Sequence, residues 1–493
     1  MSSKTPWYIT TTLPYVNAEP HIGFAMEFIR ADIIVRSKKL AGHEVFFNTG
    51  TDEHGTKIHR RASEMNMDTQ GYVDKAADTF KALIPLLGVT PEVNFVRTTD
   101  PHHIAAAQEF WITVQKNGYI YKKNYSVKYC VGCELEKTES ELVDGRCALH
   151  PLTELEIIQE ENYFFKFSAF QDKLLALYEN NPHFVYPYSR LNEIRAFVER
   201  GLEDFSISRL ATKMPWGIAV PNDADHVMYV WFDALVNYIS AIGWPDRMND
   251  FKKWWIDTGG VVQYCGKDNL RQQTAMLQAM LMAAELPPSQ AVIVDGFITG
   301  EGGIKMSKSL GNTVHPTELV TEYGTDAVRY YMARELSPFE DSPFTLEKFK
   351  EAYNANLANG IGNLTSRIMK MAETNAISLD KKDFYEYTAL ADDELVLVYK
   401  SGLAEYDVKK SADAIWKIIG NADGLIQSVQ PFKLLKSENA DEKKKGKDTV
   451  ISLLKDLYKI GLMLRPFMPT TSESILTCVT QNKMPASPLF LRK

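Results

Sequence analysis

No apolar run in this 493-residue chain reaches the roughly 18 residues needed to span a bilayer, so no membrane insertion is expected. The opening also lacks the basic, apolar, small-residue succession of an export signal. Met1 to Pro6 leads directly into strand-like Trp7 to Thr12, and a cytoplasmic location is expected. Cysteine is scarce: five residues exclude a secreted disulfide scaffold, and three of the five cluster with a histidine. Net positive charge is missing as well. A formal charge of −8 argues against a surface coated in positive charge, although a nucleic-acid binder needs only a local basic face. There is no internal repeat or long low-complexity tract. With 45% hydrophobic and 24% charged residues, disorder is not expected, and the length suggests about three domains of 100 to 200 residues.

Two stretches far apart in the chain carry phosphate chemistry. In Gly303 to Asn312, Lys305 and Lys308 stand three apart among Gly300, Gly302, Gly303 and Gly311. Glycines let such a loop close over a ligand, and two ammonium groups can follow charge building on a phosphate. Near the other end, Pro20-His21-Ile22-Gly23-Phe24 precedes Ile22, Met26, Ile29, Ile33 and Leu40 at helical spacing, with Gly42 as a stop. The helix after His21 points free N–H groups and its positive dipole end at an anion, and Gly23 lets a nucleotide approach the backbone.

Strand-like segments alternate with helices in the rest of the first and third quarters of the chain. Glu44 to Thr49 delivers Gly50-Thr51-Asp52-Glu53-His54-Gly55 at its C-terminal end, where open α/β sheets place ligands. Val261 to Tyr264 leads into Gly266-Lys267-Asp268, and Ala291 to Val294 runs into Asp295-Gly296. Between these halves lies an insertion with Cys130 and Cys133 in one hook and, after thirteen intervening residues, Cys147 and His150 in another. Three thiolates and one imidazole suit tetrahedral zinc, and with no obvious open position the ion is read as structural. After about Thr325 the pattern is strongly helical. There Asn363 and Arg367 share a helix face; amides and guanidinium groups can read splayed bases, and Phe432 can stack on one. Lys443-Lys444-Lys445-Gly446-Lys447 reads as a solvated loop, with a nucleic-acid contact open to it.

Lys-Met-Ser-Lys-Ser at 305 to 309, with His21-Ile22-Gly23, resembles the signature pair of class I aminoacyl-tRNA synthetases, and nearly the whole chain resembles the methionyl-tRNA synthetases of the single-zinc-knuckle subgroup. The resemblance implies an α/β fold: a Rossmann-like parallel-sheet catalytic domain split by a zinc-containing insertion, followed by an all-α helix-bundle anticodon-binding domain. The expected division is 1–115 and 221–325 for the two catalytic halves, 116–220 for the insertion, 326–350 for a linking segment and 351–493 for the helical domain. The implied partners are ATP with Mg²⁺, L-methionine and tRNA(Met), in a monomer with one structural Zn²⁺. His21, Lys305 and Lys308 are the implied catalytic residues. ATP falls to these three with Gly23 and Asp268. The methionine site comprises Asp52 for the amino group and Leu13, Tyr15, Trp231 and Tyr238 for the side chain. Asn363, Arg367 and Phe432 would meet the CAU anticodon.

Several positions depart from the family pattern. Phe24 replaces the second histidine of the first signature and removes an imidazole donor, which leaves open slower activation or compensation by Lys4, Lys57 or another group. Asp295 stands where a histidine commonly precedes the glycine. Gln273, Leu277 and Gln278 replace histidine, an aromatic residue and proline beside the amino-acid pocket. They leave an altered pocket open. They also leave open a synthetase-derived tRNA-binding or regulatory protein with lost activation.

Overall fold

The computed structural model describes residues 4–17, 19–133, 135–137, 142–303 and 314–493. Its central sheet has six parallel strands in the order Asn94–Arg97, Glu44–Thr51, Pro6–Thr10, Val262–Gly266, Ala291–Asp295 and Val185–Tyr186. Parallel strands need both faces covered, and apolar Trp7, Tyr8 and Ile9 fit that demand: all three are buried. Winding runs outward in one direction from Pro6–Thr10 and in the other from Val262–Gly266. The crevice between these two strands is therefore the topological switch point, where open α/β sheets bind ligands.

The intervening chain builds a second, antiparallel layer. Ile120–Cys130 pairs with Glu156–Phe165 over ten residues, flanked by Leu135–Lys137 and Phe205–Ser206. A smaller sheet joins Ser208–Leu210, Asp223–Met228 and Ala219–Val220. Val185–Tyr186, inside the 116–220 stretch, returns to the edge of the parallel sheet.

Beyond Thr325 the chain is helical, with long helices Val408–Val429 and Ala440–Leu464 packed against Asn363–Thr374 and Pro469–Gln481. The expected class therefore holds: a parallel α/β sheet, an insertion, then helices. One expectation fails. Lys443 to Lys447 lie within the helix Ala440–Leu464, whose start is capped by Asn439 accepting from Asp441 N and Glu442 N. Lysine favours helix, and acidic residues in the first turn suit the dipole.

Two fully buried arginines join the parts. Arg329 pairs with Asp32 at 2.7 Å and donates to the carbonyls of Pro466 and Phe467, pinning the C-terminal helices to the helix Ile22–Leu40. Arg30 donates to the carbonyls of Met332, Leu336 and Ser337. The strand Ile298–Thr299 pairs in parallel with Ser342–Pro343, so the link from sheet to helices is also hydrogen-bonded to the sheet side.

Candidate active site

A cavity of about 350 Å³ opens at the switch point, lined from both halves of the sheet. His21 caps the helix Ile22–Leu40, and its Nδ1 accepts from Gly23 N at 3.1 Å. An accepting Nδ1 places the proton of the neutral ring on Nε2, which is thus a donor. Gly23 is required by this cap, because a Cβ there would lie 2.9 Å from His21 Cε1. Phe24 has a packing role: its ring stacks on His21 at 4.4 Å and meets Phe80 edge-on at 5.3 Å. The residue that removes one imidazole therefore holds the other. Lys57 also lines the cavity, and its Nζ donates to Gly132 O at 2.7 Å.

The amino-acid end is built from the first loop and the short helices Val230–Ala234 and Asn237–Ser240. Tyr15 and Asp52 form an isolated parallel bridge, with Asp52 N donating to Pro14 O at 2.9 Å, so strand-to-strand bonding sets the position of the Asp52 carboxylate. Leu13, Tyr15, Asp52, Trp231 and Tyr238 all line the cavity. Gln273, one of the departures, donates to the Tyr238 hydroxyl at 2.6 Å and accepts from Gln263 at 2.6 Å, fixing the tyrosine from behind. Leu277 and Gln278 are buried, and Gln278 binds Gln273 O and Ser289.

A buried network behind this end escaped sequence reasoning. Asp233 accepts from His54 Nδ1 at 2.8 Å and from His103 Nε2 at 3.1 Å, while His103 Nδ1 meets Ser240 Oγ at 2.9 Å. Burial pushes the Asp233 carboxyl up, but the two imidazoles more than offset it and hold it below its ordinary range. The network ties the Asp52-Glu53-His54 loop to the helix bearing Trp231. All that the sequence offered was His54 and Asp233 inside two stretches noted for other reasons.

At the nucleotide end Asp268 sits in a short 3₁₀ turn after Val262–Gly266, beside Gly296, Phe297 and Ile298. Glu27, which sequence reasoning also missed, accepts from Thr12 N at 2.6 Å. Burial, offset by that hydrogen bond and reinforced by Asp295 and Asp268, pushes its carboxyl up to about 8. Asp295 is buried in the same wall and pairs with Arg30 at 3.1 Å. Lys305 and Lys308 lie outside the described residues.

Two further sets of expected residues belong to other parts of the molecule. The donor atoms of Cys130, Cys133, Cys147 and His150 all lie within 4.8 Å of one another, so this Cys₃His set can hold one metal ion. Cys133 also borders the cavity. In the helical region, Asn363 is exposed at the start of the helix Asn363–Thr374, Arg367 pairs with Asp423 at 2.5 Å, and the Phe432 ring is 42% exposed on Pro431–Leu434.

Comparison with known proteins bears on this architecture as a whole. The family model "tRNA synthetases class I (M)" matches residues 7–154 and 132–369. Methionine--tRNA ligase of Rickettsia bellii is 39% identical over 483 residues, covering 95% of this chain and 92% of the relative. That of Caldanaerobacter subterraneus is 40% identical over 484 residues, covering 96% of this chain and 73% of the relative. The solved structure of Mycobacterium tuberculosis methionyl-tRNA synthetase in complex with methionyl-adenylate matches with a TM-score of 0.88 at 36% identity, covering 96% of this chain and 93% of that one. A switch-point cavity under a histidine-capped helix, in a sheet split by an insertion, here defines a class I tRNA synthetase. Within that class the chain belongs to the methionine–tRNA ligase family.

Proposed function

We propose that the chain activates L-methionine with ATP, forming methionyl-adenylate and pyrophosphate, and passes the methionyl group to tRNA(Met). The observation that carries this reading is one cavity that joins a helix N-terminus, suited to phosphate, to an aromatic slot with a carboxylate at its mouth. In this reading Asp52 holds the amino group, while Leu13, Tyr15, Trp231 and Tyr238 surround the polarizable thioether. The expected free N–H groups at this helix start are bonded, Ile22 N to Val314 O, Gly23 N to His21 Nδ1 and Phe24 N to His21 O. His21 Nε2–H and the positive end of the helix dipole therefore face the phosphates, Asp268 accepts from the ribose, and Lys305 and Lys308 neutralise charge developing on the α-phosphate. The methionine carboxylate attacks that phosphorus as pyrophosphate leaves. Positioning and charge stabilisation are what the protein contributes.

Mg²⁺ would accompany the ATP phosphates, which with water supply most of its ligands. Zn²⁺ at Cys130, Cys133, Cys147 and His150 would stabilise the knuckle rather than react. Asn363, Arg367 and Phe432 would meet the anticodon from the helical domain that begins at 351, in the proposed division at 116, 221, 326 and 351. The protein is read as a monomer, and a cytoplasmic site fits a supply of charged tRNA for translation. Among the described residues no helix is long and apolar enough to cross a membrane.

Methionine-dependent exchange of labelled pyrophosphate into ATP tests the reading, with leucine, isoleucine and norleucine in parallel. Selective exchange with methionine, abolished by Asp52→Ala and Lys308→Ala, is expected. A folded, metal-loaded protein that binds tRNA yet exchanges with no amino acid would overturn it.

A further inference from the structure

Asp295 ends the strand Ala291–Asp295 in register with Gly266, two residues before Asp268. Its side chain is 2% exposed and forms part of the cavity wall at the nucleotide end. Neither carboxylate oxygen has a hydrogen-bond partner. The nearest cation, Arg30 Nη1, stands 3.1 Å from Oδ2, but the guanidinium is oriented by other bonds: Nε and Nη2 donate to Met332 O, Leu336 O and Ser337 O, and Nη1 reaches Pro338 O at 3.4 Å. Arg30 thus offsets the charge of Asp295 without satisfying its lone pairs. A buried acceptor left in that state is costly, and a native structure that keeps one calls for a partner.

The sign of the surroundings says what kind of partner. Glu27, Asp268 and Asp295 share this part of the wall, and burial holds the Asp295 carboxyl up at about 6 despite Arg30. An anion is unwelcome there. A neutral group bearing N–H or O–H donors is favoured, while phosphates belong at the helix N-terminus that His21 caps.

We propose that Asp295 is a further nucleotide-binding residue whose carboxylate accepts a hydrogen bond from the nucleoside part of the adenylate, an N–H of the base or an O–H of the sugar. Arg30 is its positioning residue, holding the carboxylate ionised while its own donors anchor residues 332–338. The inference rests on the reading of this cavity as an ATP-activating site.

The test uses the full chain in methionine-dependent pyrophosphate exchange with ATP, ITP, 2′-deoxy-ATP and 3′-deoxy-ATP. In the unmodified protein the analogue lacking the donor is expected to show a KM raised about tenfold or more, the equivalent of one lost hydrogen bond to a charged group. ITP in that role identifies the base amine, and a deoxy analogue identifies a sugar hydroxyl. Asp295→Ala is expected to raise the KM for ATP by a similar factor, to leave the KM for methionine within about twofold, and to erase the discrimination against that one analogue. Equal use of all four nucleotides by the unmodified protein would overturn the proposal, with or without a foldable variant. So would a folded Asp295→Ala or similarly sized Asp295→Leu protein, neither of which keeps an acceptor, that still discriminates, or one that loses all four nucleotides equally. Absence of exchange with ATP in the unmodified protein would instead sink the functional reading beneath it.

Discussion

The metal knuckle and the cavity beside it touch through Lys57 and Gly132, yet they are held together by opposite means. The knuckle draws its four donors from 21 consecutive residues that start at the end of the strand Ile120–Cys130, with strands of only two or three residues between Cys133 and His150 and with Leu149 and Leu152 exposed. It has little apolar core, so a metal has to supply its stability. The cavity draws on segments from Thr12 to Ile298, each fixed by the buried sheet or by networks such as Asp233 with His54 and His103. One site is closed by a short chain and an ion. The other is closed by tertiary packing, and perturbing either should leave a distinct signature.

The largest effect should come from the knuckle. Structural zinc in small modules contributes about 10–16 kcal/mol of apparent binding free energy near pH 7. Chelation or Cys147→Ser should therefore abolish hydrogen-exchange protection around 126–157 and one equivalent of bound metal, while strands Pro6–Thr10 and Val262–Gly266 stay protected. Exchange followed by mass spectrometry checks this, and global unfolding on chelation would erase the contrast.

Asp233→Ala should do the reverse. Removing the shared acceptor of two buried imidazoles should cost about 3–5 kcal/mol in urea unfolding, raise the KM for methionine more than that for ATP, and leave metal content unchanged. A smaller effect is expected at Arg367, whose replacement by alanine should weaken tRNA binding by about 1–3 kcal/mol without changing pyrophosphate exchange. Filter binding of tRNA(Met) and the exchange assay separate the two readouts.

The contribution of Glu27 is set apart by being tunable by pH. Its folded-state carboxyl, pushed up to about 8, holds a proton that the unfolded chain, at about 4.3, releases. The folded state thus binds more protons between these values, and stability falls as pH rises through the window, by up to about 1.4 kcal/mol per pH unit. Glu27→Gln should flatten the fall, measured as unfolding midpoints at pH 5 and pH 8. An unchanged slope would show that Glu27 titrates normally.

The same contrast governs what was legible in the sequence. The Cys₃His spacing, the His21 cap and the parallel strands are local patterns, and each could be read along the chain. The Asp233 network could not, because His54, His103, Asp233 and Ser240 meet across up to 179 residues, and none of the four has a spacing signature. Glu27 and Arg30 were lost for a related reason: they lie on a helix read for its apolar period, in which a buried charge has no periodic signal. Val185–Tyr186 is too short for alternation to show. Phe24 and Gln273 were visible as departures, but their functions, stacking on His21 and orienting Tyr238, depend on neighbours that only the fold supplies.

The join between sheet and helices bears on how the molecule can be cut. Gly296 N donates to Pro338 O at 3.1 Å, and a Cβ at 296 would come within 2.3 Å of the Glu340 backbone. With Arg30 bound to the carbonyls of 332–338 and Ser342–Pro343 paired to Ile298–Thr299, the chain up to Pro343 belongs to the sheet as firmly as a strand does. A chimera that borrows its helices from a relative should therefore be spliced after residue 343. A junction at 326 would hand the graft the acceptors of Arg30 and leave that buried cation behind.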